Sequence, residues 1–150
     1  MKTDPRVPRF ALWLVLYGVL LAQSWRYLDG AIFYGEYLHW TGLQATHLLF
    51  IALIATPVRR LFAKARWAQW LVRHRRDIGV AVFVYAAAHT IAYLLREREL
   101  AAIIAEAMTA GILTGWLALL IFLPLAVTSN DLSVRKLGRR WKALHRLVYA

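Results

Sequence analysis

The sequence predicts an all-α polytopic transmembrane helix bundle with a cytoplasmic N-terminus, and three observations carry that prediction. Apolar residues make up 61% of the 150 and the mean hydropathy is +0.49, against about 45–50% apolar in soluble domains. Those residues gather into long continuous runs without the alternation of strands, which in lipid leaves helices. The basic residues fall between the runs, and almost all on alternate sides.

Four runs are each near the ~20 residues that cross a ~30 Å hydrocarbon layer: residues 10–24, 38–58, 78–95 and 107–127. The first begins after Arg9 and ends at Ala22-Gln23-Ser24, which also resembles a signal-peptide cleavage site. The topology of the remainder works best with this helix retained. The second is expected to stop at Pro57 and the Arg59-Arg60 pair, and the fourth carries Pro124 near its end. A fifth begins after Gly138-Arg139-Arg140-Trp141-Lys142, with Trp141 as an interfacial anchor, like Trp67 and Trp70. Its apolar part, residues 144–150, is too short to span. Either the chain continues beyond Ala150, or this is an amphipathic helix on the inner surface. With the N-terminus inside, 16 of the 19 Lys and Arg residues lie on the inner side, leaving Arg26, Arg96 and Arg98 outside. That asymmetry orients the bundle. No repeat or linker divides the chain, so residues 1–150 read as one domain.

The net charge of +11 would suggest nucleic acid on a soluble chain. Here its distribution is that of topology determinants, and the partner is the lipid bilayer. Cysteine is absent, which excludes disulfides, thiolate metal sites, iron–sulfur clusters and thiol catalysis. Metal chemistry must then use the five histidines or the carboxylates.

An ionisable side chain within a spanning helix marks function by default. His89 lies 11 residues from Ile78 and His47 lies 10 from Pro57, roughly 16 and 15 Å from the inner edge. Two level histidines on different helices can clamp a haem iron from both faces. Val82, Tyr85, Ala86 and Tyr93 share the face of His89, and Ala86-Ala87-Ala88 leaves room for a porphyrin. Gly111 and Gly115 form a small-xxx-small pair that permits close helix approach. The alternative is that both histidines merely hydrogen-bond across helices. The central parts of the runs contain no Asp or Glu, which disfavours a proton path. Arg75-Arg76 and Arg139-Arg140 are positioned to meet haem propionates, quinone or flavin phosphate at the inner face, beyond their role in topology.

Four stretches resemble the ferric reductase-like transmembrane family, and within it the bacterial branch serving periplasmic methionine sulfoxide reduction. They are residues 39–42 leading through 55–60; Arg75-Arg76-Asp77-Ile78-Gly79 followed by Phe83, Tyr85, His89 and Tyr93; residues 124–129; and residues 135–149. The resemblance implies a haem b cytochrome of the bacterial inner membrane. It would pass electrons from a cytoplasmic flavin reductase or quinol to a periplasmic molybdenum-cofactor reductase. Flavin mononucleotide at the inner face is a second cofactor it allows. His89 matches the family's haem ligand on the third helix and His145 a ligand on the fifth. The family's further histidine on the fifth helix has no counterpart here, and His47 is not a family position. Either His47 is therefore expected to replace the missing partner of His89, or that partner is expected beyond Ala150 in a longer chain. In the second case His145 is the inner ligand, with His74, Arg75 or no residue as its mate. The protein reads as an electron-transfer subunit rather than a complete catalyst. A stand-alone ferric or superoxide-type reductase and a cofactor-free membrane adaptor are the competing classes.

Overall fold

The computed structural model describes residues 6–96 and 100–149. Within them the regular elements are helices: α1 (Arg6–Leu28), α2 (Tyr34–Leu61), α3 (Arg66–Arg96), α4 (Leu100–Ala107), α5 (Ala110–Val127), α6 (Asp131–Leu137) and α7 (Arg139–His145). A 3₁₀ turn at Arg146–Tyr149 follows.

Among the described residues, α2, α3 and α5 are long and apolar enough to cross a membrane. The fourth expected span, α1, does not reach that standard. Three boundaries also differ from those read in the sequence. Pro57 lies inside α2, which continues to Leu61; a proline in the last turn forfeits one hydrogen bond without ending the helix. The third helix begins at Arg66 rather than near Ile78. Arg, Gln and Leu are good helix formers, so α3 propagates past the apolar layer to 31 residues, about 46 Å. The fourth apolar run forms α5 from Ala110, and a further short helix, α4, precedes it, separated at Met108–Thr109.

The pairing of α2 with α3 is the most extensive in the bundle, and α5 and α1 lean on α3 from other sides. Alanines share the interior with larger groups: Ala52, Ala55, Ala68, Ala81 and Ala92 are buried beside Leu16, Tyr37, Ile78 and Tyr85, while Phe10, Leu14, Trp25, Phe50 and Leu120 are exposed. That exposure suits lipid, where a large apolar group gains little by hiding and close backbone packing supplies the attraction.

Polar ties fix α1 at three heights. At the basic end, Oδ1 of Asp77 accepts from Arg9 Nε at 3.1 Å and Nη2 at 2.8 Å, and from Trp13 Nε1 at 3.2 Å. Midway, the Tyr85 hydroxyl donates to the Leu16 carbonyl at 2.8 Å. Toward the opposite end, Ser24 and Tyr37 share a hydroxyl bond of 2.8 Å, and Tyr37 stacks on Tyr27 at 4.7 Å. There Ile32, Tyr37 and Ala92 close a small cluster.

Candidate functional site

Two cavities lie along α3, one in its C-terminal half and one near its basic start. The smaller, about 230 Å³, is lined by His89 and Tyr93 of α3, by Trp116 and Phe122 of α5, and by small residues that include Gly42, Ala45, Ala86, Gly111 and Gly115. Gly111 and Gly115 have open space where a Cβ would stand. They do not draw two helices together, as the sequence spacing implied; they leave room for the cavity.

His89 is held from behind. Its Nδ1 lies 3.0 Å from the Leu38 carbonyl oxygen and 3.4 Å from Thr41 Oγ1. A carbonyl can only accept, so the proton sits on Nδ1 and the lone pair on Nε2. Thr41 is fully buried, and its hydroxyl is oriented by the Tyr37 and Leu38 carbonyls at 2.9 and 3.1 Å. An imidazole fixed through one nitrogen to a backbone carbonyl, with the other free to bind, is the arrangement in which proteins present histidine to metals.

The larger cavity, about 890 Å³, opens at the basic end between α2, α3, α5 and the C-terminal helices. Six cations line it, Arg60, Arg73, Arg75, Arg76, Lys142 and Arg146, together with His145 and Trp141. No carboxylate is among the described lining residues. Such a ring suits a large ligand carrying carboxylates or phosphate. Arg75 reaches across to α2, donating to the Ala52 carbonyl at 2.8 Å and to Thr56 Oγ1 at 3.4 Å. Arg76 pairs with Asp131 of α6 at 2.7 Å, and that bond holds the exposed Asp131 carboxyl below the usual carboxylate range.

His145 is placed differently from His89. Its ring stacks on Trp141 at 4.0 Å, and Trp141 Nε1 donates to the Thr128 carbonyl at 2.9 Å. The Thr128 hydroxyl donates to Pro124 O at 2.6 Å, so its oxygen accepts from His145 Nε2 at 3.1 Å. Binding a metal through Nε2 requires that bond to be given up. Burial, and then the nearby charge of Arg75, push the His145 pKa below its ordinary value, which favours the neutral ring that ligates metal.

The remaining expectations resolve by position. His89, Tyr93, His145, Arg75 and Arg76 line the cavities. His47 is exposed and lines neither cavity, so the structure does not bring it to His89. Tyr85 turns to α1 through its bond to Leu16 and lies outside both cavities. Arg139 and Arg140 are exposed, and Lys142 and Arg146 take the lining positions expected of them. His74 is buried against Trp70 and Asp77, not in the basic cavity. Sequence reading missed Asp77 as a buried carboxylate, although its place after two arginines at the start of an apolar run was the signal.

These features meet a direct comparison. Residues 41–150 match the family described as ferric reductase like transmembrane component. The chain belongs to that ferric reductase-like transmembrane family. The match takes in both histidines and every residue lining the two cavities. Among similar proteins are those named protein-methionine-sulfoxide reductase heme-binding subunit MsrQ from Brucella ovis, Brucella canis and Brucella melitensis. Each is 35% identical over 159 residues, covering 99% of this chain and 69% of the relative. No solved structure matches the chain.

Proposed function

We propose that this protein is a haem b-binding electron-transfer subunit of a bacterial inner-membrane reductase system. The carrying observation is the pair of cavities on one face of α3, each with a histidine on its wall and both bordered by Phe122. The residues fit the group. His89 offers a lone pair beside Gly42, Ala45, Ala86, Gly111 and Gly115, and the cavity there, about 230 Å³, would receive part of a flat ring rather than enclose it. The basic cavity falls within the ~300–1,000 Å³ usual for cofactor pockets, and its arginines match propionates or a flavin phosphate. Haem supplies a one-electron couple. The chain's own residues bind it, fix the ligand nitrogen, and neutralise its carboxylates. His47 has no part in the ligand set.

The topology supports the same reading. We place α1 across the membrane as a fourth span, because its ties to α2 and α3 run from Arg9 to Ser24. The basic end faces the cytoplasm by the charge asymmetry. Electrons then enter at the basic cavity from a flavin reductase or quinol, with flavin mononucleotide as a further occupant there. They leave past His89 to a periplasmic molybdenum-cofactor reductase; the relatives' name, a heme-binding subunit of a protein-methionine-sulfoxide reductase, supports a reductase as the acceptor.

The test is spectroscopic. Protein from haem-supplemented cells is expected to show a reducible Soret band and sharp visible bands. His89→Ala should remove the contribution of one haem. A colourless preparation, or a His89→Ala variant with an unaltered spectrum, overturns the assignment.

A further inference from the structure

We infer that Gly42 is a positioning residue: its missing side chain is what lets His89 lock onto the α2 backbone and present Nε2. This inference rests on the haem reading above, which uses Gly42 only as one of several small residues lining the cavity and not as a determinant of the imidazole's placement.

The geometry is direct. A Cβ built on Gly42 would stand 3.1 Å from both Nδ1 and Cε1 of His89. Ordinary carbon–carbon contact lies near 3.5–4.0 Å, so a methyl there pushes the imidazole away by several tenths of an ångström. One of the two atoms it presses on, Nδ1, makes the 3.0 Å bond to the Leu38 carbonyl, and the other, Cε1, is bonded to it. The same carbonyl accepts from Thr41 Oγ1 at 3.1 Å, so it is fixed and cannot follow the ring. Gly35, on the same helix, has nothing within 4 Å of its Cβ position. Proximity to the imidazole thus separates Gly42 from a glycine that is merely helical.

The chemical consequence follows from which atom carries the proton. The Leu38 carbonyl holds it on Nδ1 and, by accepting it, makes the ring a stronger donor through Nε2. A stronger donor favours ferric over ferrous iron. Gly42→Ala weakens the bond, frees the tautomer, and shifts the couple toward ferrous. Disturbing the outer partner of a metal-bound histidine typically costs about 10–100-fold in metal affinity or activity. The expected direction is a rise in potential, and a tenfold change in the ferric/ferrous ratio would read as about 59 mV for one electron.

Two measurements test it on the full chain. In ¹⁵N-histidine-labelled, haem-free protein, His89 (assigned by loss of its signals in His89→Gln) is expected as the Nδ1–H tautomer in the parent and in Gly35→Ala. Gly42→Ala is expected to show a mixture. An Nε2–H parent, or an unchanged tautomer in Gly42→Ala, overturns the inference. In haem-loaded protein, Gly42→Ala should raise the potential of the His89 haem and alter its low-spin resonance signature, with Gly35→Ala at the parent value. An unchanged potential and resonance likewise overturn it. A parent that binds no haem sinks the functional proposal, yet the tautomer measurement still decides the role of Gly42. Loss of haem from Gly42→Ala with the parental tautomer retained counts against positioning.

Discussion

Removing the Asp77 carboxylate should loosen α1 from the bundle, and the size of the effect can be worked from its contacts. Oδ1 accepts three hydrogen bonds, two from Arg9 and one from Trp13, while Oδ2 faces His74 at 3.4 Å. Bonds to a charged group contribute about 1.5–3 kcal/mol when shielded. The Arg9 side chain is 46% exposed, however, against 9% for Asp77, so its share falls toward the ~0–1 kcal/mol of surface pairs. About 2 kcal/mol for Asp77→Ala is the resulting figure, a roughly 30-fold rise in transient detachment of α1. The chain has no cysteine, which makes the assay clean. Leu20 is 5% exposed, so a Leu20→Cys thiol reacts with maleimide only when α1 opens. In that background, Asp77→Ala should speed modification about 30-fold. A rate within twofold of the parent would refute the view that this cluster anchors the helix.

Three further outcomes are expected. Tyr85→Phe removes the bond to the Leu16 carbonyl and should speed the same Leu20→Cys reaction about fivefold, for roughly 1 kcal/mol, while leaving the haem spectrum intact. His47→Ala should retain the full spectrum and haem stoichiometry, because that side chain is exposed and lines neither cavity; loss of haem would reinstate it as a ligand. Asp131→Asn should melt slightly below the parent at neutral pH and low salt. The folded carboxyl titrates below its unfolded value, so its contribution is present above about pH 4 and lost as pH falls through the lower folded value. The two proteins should converge there, and also in high salt.

Depth along a helix was legible in the sequence, and direction around it was only partly so. His89 and His47 were read as level, and counting residues from the inner edge supports no more than that. Gly42, Ala45, Leu49, Ala52 and Thr56 line the cavities at steps of three and four. At about 100° per residue, His47 lies roughly 140° round the helix from Gly42. That stripe of mostly small side chains was visible in the sequence and would have set His47 apart. The α3 boundary was lost for another reason. A hydropathy run ends where arginines begin, whereas a helix made of Arg, Gln and Leu does not. Asp77 was missed because it preceded the apolar run taken to start at Ile78; with α3 extended, it falls well inside and can reach α1. The partners of His89 were illegible, since Leu38 acts through its backbone carbonyl, which every residue possesses.

Because Arg75 and His89 ride on one unbroken helix, their separation is set as on a ruler: 14 residues, about 21 Å. An occupant gripped at the arginine and one gripped at the imidazole would share that graduation, whatever the flanking helices do. One residue inserted between them would lift the imidazole by about 1.5 Å and swing it by about 100°, off the wall it now faces. On the proposed electron-transfer role, passage between the two ends of the molecule is thereby tied to the length of a single α3 segment.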